Sequence, residues 1–155
     1  MKIKKSIVFF TLILLFAASC LITAIHKTVK VYKDGSKAYL AIVIDDFGYG
    51  GEGTEEILNL PIKLTAAVMP FSEYSAEDTE KAGEAGKEVI IHMPMEPLEM
   101  HPLWLGEKAI RVGMTPEEIE MLVYEALANV DTATGLNNHM GSRMMADEEA
   151  LTVIL

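Results

Sequence analysis

The feature that most constrains this chain is its alternation of short, β-rich apolar runs with helix-forming segments. Ala38–Ile44 (AYLAIVI) has strand length and leads into a glycine-rich stretch (Gly48, Gly50, Gly51, Gly53) and a short helix predicted over Thr54–Asn59. Leu64–Met69 predicts a second strand, stopped by Pro70, and Ser75–Lys87 a helix capped by Ser75. Glu88–Ile91 leads a third strand into His92, after which Pro94, Pro97 and Pro102 predict an irregular loop. Thr115 and Glu118 have capping-box spacing, Pro116 suits the first helical position, and Ile119, Leu122, Val123 and Ala126 share one face. Thr134–Leu136 predicts a fourth strand, and Asp147 caps a last helix. An order βαβαβαβα calls for a parallel sheet with helical crossovers. Four such units do not close a barrel, and the apolar run Ala150–Leu155 stops without a cap, so the chain reads as truncated.

Parallel α/β sheets bind ligands beyond the carboxyl ends of their strands. Here the first predicted strand ends in Asp45-Asp46, the third in His92, and the fourth in Asn137-Asn138-His139. Two carboxylates and two imidazoles at one sheet edge suit a divalent transition metal such as zinc, with a position open to water. Glu96, four residues after His92, reaches the same ion if the loop curls. Each residue also has a plainer use. An acidic pair after a strand caps helices, His92 fits a hydrogen-bonded turn, and Glu96 fits solvent. The asparagines tolerate left-handed turn backbone. Coincidence at one edge carries the functional reading. The ten methionines read as packing, and Trp104 as loop packing or a sugar-stacking surface.

Charge divides the chain. The first 33 residues hold six lysines and no acid, whereas the remainder holds 7 Lys or Arg against 23 Asp or Glu, a formal −16. So acidic a body repels nucleic-acid phosphates and excludes non-specific nucleic-acid binding. Ser6–Ile25 carries no charge and has the roughly 20-residue length of a bilayer span. Residues 1–28 therefore read as a signal peptide or transmembrane anchor, residues 29–37 as a tether, and 38–155 as the exported domain. Ala17-Ala18-Ser19 before Cys20 keeps lipoprotein processing open. Cys20 is the only cysteine, which rules out an intrachain disulfide and a cysteine-based metal site.

Taken in order, Ile44-Asp45-Asp46-Phe47-Gly48, Leu64–Pro70 (LTAAVMP), His92–Pro97 (HMPMEP) and Asn137–Ser142 (NNHMGS) resemble the divergent polysaccharide deacetylase family, over Ala38–Leu155. The resemblance implies an α/β fold: the N-terminal portion, about four βα units, of a deformed (β/α) barrel of the polysaccharide deacetylase type, preceded by an N-terminal apolar helix. It implies Asp45 as catalytic base and Asp46 as metal ligand. Where the superfamily places two histidines four residues apart, this chain has His92 and Glu96, with His139 offering the missing nitrogen. Asp46, His92, His139 and Glu96 are thus the implied metal ligands, and Asn137 and Asn138 are assigned to substrate. The implied activity is metal-dependent removal of acetyl groups from an envelope or extracellular polysaccharide, with zinc the expected ion. A membrane partner enters through the N-terminal helix. The superfamily's general-acid histidine belongs to later strands, which implies little activity for this chain alone. The alternative is a non-catalytic, envelope-anchored carbohydrate-binding or scaffold protein. A phospho-acceptor receiver domain also has an acidic pair after strand one, but needs an Asp where His92 stands.

Overall fold

A computed structural model describes residues 38–99, 105 and 108–155. The predicted leader and tether, with Cys20, and the loop residues His101, Pro102 and Trp104 lie outside the described residues. Among the described residues no helix is long and apolar enough to cross a membrane.

Four strands, β1 (Val43–Phe47), β2 (Thr65–Val68), β3 (Glu88–Met95) and β4 (Leu136–Met140), form one parallel sheet in the order β1-β2-β3-β4. The helices α1 (Thr54–Leu58), α2 (Ser75–Glu84) and α3 (Pro116–Asn129) cross between successive strands, and α4 (Glu148–Ile154) follows β4. A doubly wound sheet reverses its strand order partway and takes helices on both faces. This sheet runs in sequence order, and with crossovers of one hand that puts the helices on one side. The packing agrees. Ala66 and Val68 of β2, and Val89, Ile91, Met93 and Met95 of β3, share a core with Leu58, Ala82, Ile119, Leu122 and Ala126 of the helices. Every second residue, Ala67 on β2 and Ile90, His92 and Pro94 on β3, belongs to the opposite face, which in a closed barrel is the interior. The described chain is thus a half-barrel: the parallel sheet with helical crossovers is what the alternation predicts, and the partial barrel is what the family resemblance implies.

Local chemistry accounts for the helix ends. Thr115 and Glu118 form the expected capping box, with bonds of 3.3 and 2.8 Å, and Pro116 opens α3. Asp147 accepts from Ala150 N at 3.1 Å and caps α4. Ser75 is not the cap of α2. The residue before the helix is Tyr74, without a side-chain cap, and the Ser75 hydroxyl donates to Met69 O at 2.6 Å, tying the helix start to the end of β2.

Three strands run further than their apolar runs. β1 carries Asp45 and Asp46 inside it, and β4 carries Asn137, Asn138 and His139. β3 continues to Met95, through Pro94. Pro94 is tolerated because its carbonyl accepts from Ile110 N at 2.9 Å, on the side of β3 beyond the last residue of β2. Its missing N–H faces that same side, where the sheet offers no acceptor.

Met93 is fully buried and Met121 of α3 is half exposed. Met93→Ala should cost about 2–5 kcal/mol of stability, and Met121→Ala about 0.5 kcal/mol or less. Urea unfolding of the two variants checks this. Equal losses would show that the sheet–helix core does not carry the fold.

Candidate metal centre

Strict alternation along β1 would send Asp45 and Asp46 to opposite faces of the sheet. An inserted residue prevents this. Ile44 pairs with Ala66 and Phe47 with Val68, so three steps along β1 match two along β2. Asp46 absorbs the extra step with a left-handed backbone, φ 64°, a conformation Asp tolerates better than most residues. Ile44 and Phe47 then both pack on the helix-side core, and the two carboxylates between them meet the imidazoles. The turn that follows is pinned from beneath. Gly48 N donates to the buried Asp78 carboxylate at 2.7 Å. Gly48 itself has φ 108°, and a Cβ there would stand 2.9 Å from Met69 O.

His92 on β3 is buried, and its Nε2 lies 3.3 Å from Asp46 Oδ1 and 3.2 Å from His139 Nδ1. His139 Nδ1 lies 3.0 Å from the same Asp46 oxygen. The two rings meet edge to face at 5.0 Å. One carboxylate oxygen and two ring nitrogens therefore converge, forming the metal-capable cluster among the described residues. Bonds of about 2.0–2.1 Å in a tetrahedral shell separate neighbouring ligand atoms by roughly 3.3 Å. The observed triangle, with sides of 3.0, 3.2 and 3.3 Å, fits one face of such a shell. His92 is buried and His139 partly buried, whereas Asp45 and Asp46 are half exposed, so the remaining coordination positions face the solvent side.

Asp45 stands beside this triangle. Its Oδ1 accepts from Asn137 Nδ2 at 3.0 Å and lies 3.7 Å from His92 Nδ1, while Asn137 Oδ1 is 2.6 Å from that same ring nitrogen. Asn138 does something different: its Nδ2 donates to Met140 O at 2.6 Å, supporting the left-handed Met140 before Gly141. Glu96 is not at the triangle, contrary to the expectation that its loop would curl toward the ion. Continuation of β3 to Met95 fixes where Glu96 leaves the sheet, and its oxygens meet Arg143 Nη1 and Val112 N, each at 2.9 Å. Both carboxylate oxygens are engaged there, tying the loop after β3 to the turn after β4.

Two clefts share Tyr49 as a wall, and one of them is lined by the carboxylates. One of about 200 Å³ is lined by Asp45, Asp46, Tyr49, Gly51 and Thr54. Another of about 210 Å³ is lined by Tyr49, Pro70, Phe71, Pro94, Leu105 and Lys108. Tyr49 stands in both walls. Sequence reasoning passed over it as part of a glycine-rich loop; the available signal was an aromatic placed three residues after the acidic pair. Lys108 lies over the Phe71 ring at 4.9 Å and pairs with Glu125.

A model of the family described as divergent polysaccharide deacetylase matches residues 42–155. Over 108 residues, 70% of this chain, the chain is 44% identical to the uncharacterized protein YibQ of Escherichia coli. Over 120 residues, 77% of the chain, it is 32% identical to an uncharacterized protein of Haemophilus influenzae. These alignments cover 33% and 42% of the relatives' own lengths, so the chain spans well under half of the curated proteins it matches. The crystal structure of the uncharacterized protein ATU2773 from Agrobacterium tumefaciens superposes with a TM-score of 0.68 at 21% identity, covering 78% of this chain and 50% of that one. That likeness supports the fold.

The triangle predicts that Asp46→Asn, His92→Ala and His139→Ala each weaken zinc binding by more than about 100-fold, beyond the loss usual for an outer-shell residue. Glu96→Gln should bind as the parent does. Elemental analysis after dialysis against graded chelator decides it. Retention of zinc by both histidine variants would refute the assignment.

Proposed function

The chain belongs to the divergent polysaccharide deacetylase family, and from that membership together with the Asp46–His92–His139 convergence we propose that it carries the metal-binding half of a carbohydrate deacetylase. The observation carrying the proposal is the placement of a second carboxylate, Asp45, beside the three candidate ligands and open to solvent. A bound divalent ion, zinc by the nature of the donors, supplies Lewis acidity for hydrolysis of an acetyl amide or ester.

The chain's own residues supply the ligands and the proton acceptor, while the proton donor for the leaving group falls to the later strands that the family resemblance implies. Asp46, His92 and His139 hold the ion. Asp45 has one oxygen fixed by Asn137, and its other oxygen accepts the proton of the attacking water. The bulge that turns both carboxylates the same way holds base and ligands in one geometry, which is the entropic part of catalysis. Tyr49, in the wall of both clefts, offers a ring face to a pyranose. The substrate is an acetylated envelope or extracellular polysaccharide. Lys2, Lys4 and Lys5 ahead of the uncharged Ser6–Ile25 stretch support action on the extracytoplasmic side of a membrane.

Acetate release from acetylated chito- and peptidoglycan-type oligosaccharides tests the proposal, on this chain and on a relative of full length. Asp45→Asn should lower kcat by about 10²–10⁴ while zinc stays bound. Unchanged turnover in Asp45→Asn would remove Asp45 from the base role. Glycan binding without acetate release by the zinc-loaded proteins would favour the carbohydrate-binding alternative.

A further inference from the structure

Asn137 lies opposite His92 in the parallel register of β3 and β4, so the two side chains are neighbours on the interior face. The amide also reaches across to β1. A carboxylate oxygen only accepts, so the atom 3.0 Å from Asp45 Oδ1 is the amide nitrogen, and the amide oxygen must face His92. That oxygen also only accepts, so the His92 Nδ1 at 2.6 Å carries a hydrogen. A neutral imidazole protonated on Nδ1 keeps its lone pair on Nε2, the atom facing Asp46 Oδ1 and His139 Nδ1. His139 presents Nδ1 to the same point, so the two imidazoles approach it through unlike nitrogens.

We infer that Asn137 is a positioning residue: through one amide it fixes the His92 tautomer that frees Nε2 for the ion and holds the neighbouring Asp45 carboxylate. The inference rests on the reading of Asp46, His92 and His139 as ligands, and it moves Asn137 from substrate contact to support of the site. Both polar groups of its amide are already engaged. Histidine ligands keep their orientation and basicity through such partners, and losing one typically weakens metal binding about 10–100-fold. An asparagine adds what a backbone carbonyl lacks, a donor that secures a second carboxylate.

The test reads nitrogen protonation directly. Long-range ¹⁵N–¹H spectra of the full chain, labelled at histidine, should show His92 as the Nδ1–H tautomer without metal. Loaded with ¹¹³Cd, the chain should show nitrogen–cadmium coupling at Nε2 of His92 and at Nδ1 of His139. Asn137→Leu should give a tautomer mixture at His92 and zinc binding weaker by about 10–100-fold. Asn137→Asp keeps an acceptor for Nδ1–H but loses the donor to Asp45. It should keep the parental tautomer and lower kcat with zinc affinity within about threefold, a split that a purely structural role would not produce. An Nε2–H tautomer in the metal-free parent or in Asn137→Asp would overturn the inference, as would a parental tautomer in folded Asn137→Leu. Because the tautomer is read without metal, an Nδ1–H result in a chain that binds no zinc would sustain the positioning role and fail only the ligand reading.

Discussion

One additional residue in β1 organises the site. A strand of regular period can offer one of two consecutive side chains to a given face, and Asp45 and Asp46 are consecutive. The bulge between Ile44 and Phe47 keeps the apolar residues on the helix side and delivers both carboxylates to the other. Its cost is a left-handed Asp46, and the surroundings hold that conformation: Phe47 O accepts from Met69 N at 2.8 Å, and Asp78 grips Gly48 N. Without the bulge Asp46 would face the hydrophobic core, and of the acidic pair only Asp45 would remain beside the histidines.

A second condition is curvature. Strands in a flat sheet lie about 4.8 Å apart, so β1 and β4 would stand roughly 14 Å from one another. Yet Asn137 of β4 bonds to Asp45 of β1 at 3.0 Å, and His139 meets Asp46 at 3.0 Å. The sheet has to curl for this, bringing its two edges together over β2 and β3. β2 makes room with Ala67, fully buried and too small to stand between them. Large side chains on the helix face, Met93 and Met95 among them, fill the convex side, and an alanine on the concave side completes the asymmetry.

The order of elements was legible in the sequence, because the change of hydrophobic period and the cap signals at Thr115, Pro116 and Asp147 are local properties. So was the identity of the converging residues: Asp45, Asp46, His92, Asn137 and His139 all stand where strand ends were expected, and the structure brings them together. The strand limits were less legible. Apolar composition marks burial against helices, whereas backbone pairing continues wherever a neighbouring strand accepts it, so β1, β3 and β4 run through polar residues and Pro94. Glu96 shows a different limit. Its four-residue spacing from His92 implies proximity only on a helix, and on an extended chain the same spacing carries it to Arg143. Bridging by Asn137 depends on register and curl together, and neither has a local signature.

The sequence distances within the site carry a consequence for how the chain folds. Asn137 and Asp45 are 92 positions apart, and His139 and His92 are 47 apart. No two βα units suffice to assemble the cluster; all four strands have to be in register first. An ion bound there would act as a clasp between the first strand and the last, closing a loop from Asp46 to His139. Such closures restrict the unfolded ensemble more as the loop lengthens, and a ligand bound only by the folded form adds about 1.4 kcal/mol for each tenfold excess over its dissociation constant. Two edges that would otherwise be open to pairing are thereby drawn toward each other. Metal supply would then govern the survival of the half-barrel as well as its chemistry, and a metal-starved chain would be the one most exposed to proteases.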